Sequence, residues 1–194
     1  MVKLIGEKKI FCAVFISGRG SNLKSIYKYS KKKSSKIDLK LVISNKSNIK
    51  GINFAKKNKI KFKIINFKNK KKSEEISLYY LKKNNIKLIC LAGFMRILSG
   101  NFIKKFKYKI INIHPSLLPK YKGLNTHARV IRNNEKFSGC TVHFVSEKLD
   151  SGKIVLQKKV KILKSDNAER LEKKILKVEN KLYPEAIEKI LFKI

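Results

Sequence analysis

The chain has no tryptophan, three prolines, three cysteines and only five arginines, at positions 19, 96, 129, 132 and 170. Each shortage excludes something. Cys12, Cys90 and Cys140 are odd in number, widely spaced and set among apolar neighbours, which reads as reduced core thiols rather than a disulfide framework. They stand at no metal-ligand spacing, so no metal is expected. No apolar run approaches the length that spans a bilayer, and the first one, Ile10 to Ile16, leads into Ser17-Gly18-Arg19-Gly20 instead of a cleavage site. A cytoplasmic address and no membrane partner follow. No Pro/Gly/Ser-rich linker divides the 194 residues, so residues 1–194 are expected to form a single domain.

The scarcity of arginine matters because the formal charge is +35, which invites a nucleic-acid reading. Sequence-specific readers use arginine forks and clustered aromatics. Here the charge comes from lysine scattered through every segment, the pattern of a solvated surface. The parallel excess of Ile, Asn and Lys suggests a general drift in amino-acid usage, such as an A/T-rich genome produces. No specific nucleic-acid partner is expected, only weak, salt-sensitive adhesion to RNA.

What is present is an alternation of short apolar runs and helical patterns. Phe11 to Ile16 is a continuous apolar strand, followed by a glycine-bearing turn and a helix toward Tyr29. Leu39 to Ile43 and Phe62 to Phe67 read as further strands, with a helix from about Ile49 to Lys57 between them. The run Lys68 to Lys72 reads as a solvated loop before a helix that starts at Ser73 and reaches Asn84. Ile86 to Ala92 is apolar at every position, which marks a strand covered on both faces of a parallel sheet. Asn125 or Thr126 can cap a helix through Ile131. Strands follow at Ser138 to Val145 and Ile154 to Leu163. A helix from Asp166 should end or bend at Pro184. The fold class expected is α/β, one doubly wound, mostly parallel sheet with helices on both faces.

Three strand ends carry candidate chemistry. Gly18 and Gly20 between strand and helix make either a phosphate cradle or a plain turn; the third glycine of a dinucleotide fingerprint and the Lys-Ser/Thr of a P-loop are both missing. Gly93-Phe94-Met95-Arg96-Ile97-Leu98 is an apolar loop with one charge. In Ile110-Ile111-Asn112-Ile113-His114-Pro115, Asn112 and His114 share a face, and Pro115 stops the strand just beyond them. Taken alone, the pair is a site or two satisfied polar residues. All three stretches fall at the carboxyl edge of the sheet, where ligands of open α/β sheets bind.

Together with Leu149-Asp150-Ser151-Gly152, these stretches stand in a recognisable order. Ser17-Gly18-Arg19-Gly20-Ser21-Asn22, Leu91 to Ser99 and Asn112-Ile113-His114-Pro115-Ser116-Leu117-Leu118-Pro119 closely resemble phosphoribosylglycinamide formyltransferases, folate-dependent enzymes of purine synthesis in the formyltransferase family. The resemblance runs from Phe11 to Pro184. It implies transfer of a formyl group from 10-formyltetrahydrofolate, as co-substrate, to the amine of glycinamide ribonucleotide, with small-molecule substrates and a monomer or homodimer. It assigns catalysis to Asn112, His114 and Asp150. Gly18, Arg19, Gly20, Ser21, Asn22 and Glu179 would hold the ribonucleotide. Met95, Arg96, Ile97 and Leu98, with Asn112, would hold the folate, and core packing of Met95, Ile97 and Leu98 is the alternative. His143 would give a supporting hydrogen bond. His127 reads as a helix-start or surface residue. Methionyl-tRNA formyltransferase and formyltetrahydrofolate deformylase share the central motif and are the rival readings; the further domains of those families are not expected here. Asn180 departs from the family pattern, standing where a histidine is often found, and Lys153 stands where small or apolar residues are usual.

Overall fold

A computed structural model describes residues 9–191. It contains seven strands, β1 (Ile10–Ile16), β2 (Ile37–Ser44), β3 (Lys61–Ile64), β4 (Leu88–Leu91), β5 (Lys109–His114), β6 (Phe137–Phe144) and β7 (Ile154–Lys161). The helices are α1 (Ser21–Ser30), α2 (Lys50–Lys57), α3 (Lys70–Lys83), α4 (Gly100–Lys105), α5 (Thr126–Arg132) and α6 (Ala168–Leu191). The strands form one sheet in the order β3-β2-β1-β4-β5-β6-β7. Pairing is parallel from β3 through β5 and antiparallel on both sides of β6.

Both faces are covered, as the continuous apolar strands require. On one face Leu23 and Ile26 of α1, Ile52 of α2 and Leu171, Ile175 and Ile187 of α6 pack against Val14, Ile111 and Ile113. On the other, Leu81 of α3 and Phe102 of α4 pack against Phe15, Ile89 and Ile110. Cys12, Cys90 and Cys140 are buried and unpaired.

Several boundaries differ from the sequence reading. β3 ends at Ile64, and Ile65 and Phe67 enter the core from the following turn. α3 starts at Lys70 inside the supposed loop, because the Asn69 side chain accepts the Lys72 N–H at 3.0 Å; Ser73 instead donates to the carbonyls of Asn66 and Asn69. α4 is an additional helix, started by Ser99, whose hydroxyl accepts the Phe102 N–H. Asn125 precedes α5 in a left-handed conformation, with no side-chain cap. The helix expected to end or bend at Pro184 continues to Leu191. Proline inside a helix costs about 3 kcal/mol. Beyond it Ile187, Ile190 and Leu191 are buried, at roughly 1.5–3 kcal/mol each, which outweighs that cost.

Candidate active site

At the end of β1 the chain turns through Gly18-Arg19-Gly20 into α1. Gly20 has φ +72°, and a Cβ there would lie 2.8 Å from the Gly51 Cα at the start of α2. Glycine therefore serves both the backbone conformation and the approach of two helix starts. Asn22 is buried in the first turn of α1 and donates from Nδ2 to Glu179 Oε2 of α6 at 2.8 Å, while its Oδ1 has no partner. Glu179 is only 7% exposed. Burial pushes its carboxyl up to about 7, partly opposed by the Asn22 hydrogen bond. Arg19 reaches Glu172 of α6 at 3.1 Å on the surface.

The loop after β4 is fastened to the end of β1. Ser17 donates its N–H to the Gly93 carbonyl and its hydroxyl to Asn45 Oδ1, and accepts the Met95 N–H at 2.8 Å. Phe94 packs edge-on against Phe15 and Phe67. Leu98 is buried in the core, whereas Met95 and Ile97 are each 60% exposed.

Asn112 and His114 lie at the end of β5, and β6 places His143 directly opposite Asn112. His143 Nδ1 is 2.9 Å from the Phe144 carbonyl, which can only accept, so Nδ1 carries the hydrogen. Its Nε2 is then the acceptor for Asn112 Nδ2 at 3.2 Å. Burial lowers the His143 pKa, which favours the neutral ring this pattern needs. The second Asn112 N–H remains available to another partner. His114 Nε2 donates to the Tyr121 carbonyl at 2.8 Å. Its Nδ1 faces Asp150 Oδ2 at 3.4 Å, and Asp150 Oδ1 is 3.6 Å from His143 Nε2. The side chains of His114 and Asp150 are each 7% exposed. Asp150 has φ +46° and is anchored by the Gly123 N–H, which donates to Oδ2 at 2.9 Å. A neutral His114 with its hydrogen on Nε2 would turn a lone pair toward this carboxylate. A proton between Nδ1 and Oδ2 completes the pair.

Asn112, His114, His143 and Asp150 line one cleft of about 1030 Å³, which Gly18 to Asn22, Met95 to Leu98 and Glu179 line as well. A model of the formyl transferase family matches residues 9–187.

The chain is a member of the formyl transferase family.

It is 42% identical over 180 residues to the phosphoribosylglycinamide formyltransferase of Haemophilus influenzae, covering 91% of this chain and 84% of that protein. The trifunctional purine biosynthetic protein adenosine-3 of Gallus gallus is 40% identical over 187 residues, or 95% of this chain. This chain spans only 19% of the length of that relative. The crystal structure of phosphoribosylglycinamide formyltransferase from Brucella melitensis superimposes with a TM-score of 0.89 at 38% identity, covering 94% of this chain and 96% of that one.

In this formyl transferase every site residue expected from the sequence lines the cleft, with Leu98 mainly a core residue. His127, expected at a helix start or on the surface, lies in the first turn of α5 on the cleft wall, with Nδ1 buried and unpartnered. Desolvation lowers its pKa. Sequence reasoning missed the Tyr121 carbonyl and Gly123 N–H that orient the His114–Asp150 pair. It also missed Glu172 and Leu176 on the cleft wall, although Glu172, Leu176 and Glu179 share a helix face at i, i+4 and i+7. Among the described residues no group of three or more His, Cys, Asp or Glu side chains is placed to hold a metal ion. No helix among them is long and apolar enough to cross a membrane.

Proposed function

We propose that this formyl transferase carries the formyl group of 10-formyltetrahydrofolate to the amine of glycinamide ribonucleotide, a step of de novo purine biosynthesis. The reading rests on one arrangement above all, Asn112 and the His114–Asp150 pair in a single cleft that the glycine turn and the exposed Met95 and Ile97 also line. The amine attacks the formyl carbon, and the carbonyl oxygen becomes an oxyanion while the nitrogen gains positive charge. The free Asn112 N–H supplies a donor to that oxyanion, and a protonated His114, its two ring N–H groups held by the Tyr121 carbonyl and Asp150, helps neutralise it through its positive charge. Asp150 stabilises the imidazolium and relays the proton lost by the amine, through water, toward the departing folate nitrogen. Collapse of the tetrahedral intermediate breaks the bond from the formyl carbon to that nitrogen. No covalent nucleophile is required.

His143 holds the Asn112 amide in the orientation that keeps one N–H for the reaction. The amides at the start of α1, with Gly18, Arg19, Gly20, Ser21 and Asn22, suit the ribonucleotide phosphate, and Glu179 suits its ribose or amine end. Met95, Arg96, Ile97 and Leu98 suit the pterin side of the folate. A cytoplasmic enzyme working on small molecules, as monomer or homodimer, fits this reading.

The deciding assay offers glycinamide ribonucleotide, initiator methionyl-tRNA and water together as competing acceptors of the formyl group. Formylation of the ribonucleotide is expected. Preference for tRNA, or release of free formate, would refute the proposal.

A further inference from the structure

A tyrosine in the core stands where phenylalanine would fill the same space. Tyr183 of α6 has no exposed surface, and a buried hydroxyl costs free energy unless it finds partners. It finds two. The hydroxyl lies 2.9 Å from the Leu91 carbonyl and 3.1 Å from the Ile111 carbonyl, so one O–H is shared between the carboxyl ends of two neighbouring strands. Burial raises its pKa well above the ordinary tyrosine value, and it remains a donor.

The two acceptors sit at consequential places. Leu91 is the last residue of β4, two residues before the loop that carries Met95 and Ile97 into the cleft. Ile111 immediately precedes Asn112, and Leu91 is paired with Asn112 across the ladder. Ile111 and Ile113 pack on the α6 face, so the Asn112 side chain leaves from the opposite face. The orientation of the Ile111 carbonyl therefore bears directly on where the Asn112 amide emerges. Glu179 lies one turn earlier on the same helix, so α6 touches the ribonucleotide end of the cleft and the strand ends that deliver the reacting wall.

Resting on the activity proposed above, we infer that Tyr183 is a positioning residue: its hydroxyl clamps the ends of β4 and β5 and thereby sets Asn112 against the folate wall. An ångström of misplacement at a reacting centre can cost up to about a hundredfold in rate, and Asn112 is also held by His143. A loss of roughly tenfold is the corresponding expectation when the clamp alone is removed.

The test compares Tyr183→Phe with Ile187→Val, a change at another fully buried position on α6 that trims the core without touching the clamp. Turnover is measured well below both unfolding midpoints. Tyr183→Phe should lose roughly tenfold in kcat with the ribonucleotide KM within about twofold, while Ile187→Val should keep wild-type kcat despite a lower midpoint. Hydrogen exchange at the Asn112 and Ile113 amides gives a readout that needs no substrate, and it should quicken in Tyr183→Phe more than in Ile187→Val. Wild-type turnover in Tyr183→Phe, or equal exchange in the two variants, overturns the inference. A wild-type protein that fails to formylate the ribonucleotide overturns the activity instead, and the exchange comparison still decides the clamp.

Discussion

Glu179→Gln separates a carboxyl that folding must tolerate from one that the substrate needs. Glu179 is held by Asn22 but otherwise buried, and its pKa is pushed up to about 7 by desolvation. The folded chain therefore binds more protons than the unfolded chain between the ordinary carboxyl range and about pH 7. Stability falls as pH rises through that window, because ionisation costs more in the folded state. The displacement corresponds to about 3 kcal/mol once the group is fully ionised, a large fraction of the roughly 5–15 kcal/mol that holds a domain folded. Glutamine has no proton to lose, its carbonyl can still accept from Asn22 Nδ2, and its amide can donate to the unpartnered Asn22 Oδ1. Urea unfolding of both proteins at about pH 4.5 and about pH 8, roughly the two ends of the transition, tests this. The variant should gain little at the lower pH and about 3 kcal/mol at the higher one, a midpoint shift of about 1–3 M urea. At the same time its ribonucleotide KM should rise, since the proposed contact is weakened. A stability difference that is the same at both pH values would refute the reasoning, because it would show that no proton is linked to folding at this site.

Two further substitutions probe other parts of the cleft. Asp150→Asn keeps the size of the side chain but removes the charge opposite His114; kcat should fall about 10²–10⁴-fold with ribonucleotide affinity nearly unchanged, as measured by steady-state kinetics beside direct binding. Gly20→Ala meets both a left-handed backbone and the Gly51 Cα at 2.8 Å; it should cost at least about 1–2 kcal/mol in denaturant unfolding and weaken ribonucleotide binding more than folate binding.

Much of the fold was legible because the strands announce themselves. Ile86 to Ala92 and Phe11 to Ile16 are apolar without interruption, and a strand buried on both faces has no other use for such a run. The Asn112/His114 edge was equally plain, since a proline ends the strand just beyond it. The hidden parts depend on partners far away in the chain. α4 starts at Ser99, whose N–H and hydroxyl are both taken by Glu74 of α3, and nothing local to Ser99 signals that contact. The His114–Asp150 pair is oriented by the Tyr121 carbonyl and the Gly123 N–H, backbone groups that carry no mark of residue type, since every residue has the carbonyl and all but proline the N–H. Asp150 was legible only through the resemblance, because an aspartate before Ser-Gly is an ordinary turn residue. Pro184 does not end α6 for an energetic reason, since the burial of Ile187 and Ile190 beyond it is invisible to a local rule about helix breaking.

Met95, Ile97, Leu124 and Leu149 leave greasy surface wet around the mouth of the cleft. In a chain of formal charge +35, attraction at long range draws anions of every kind and discriminates poorly among them. These four side chains impose a different criterion at short range. A visitor gains from them only by presenting a flat, oily face that sheds its own hydration, so the choice among equally charged arrivals is made by dryness and outline.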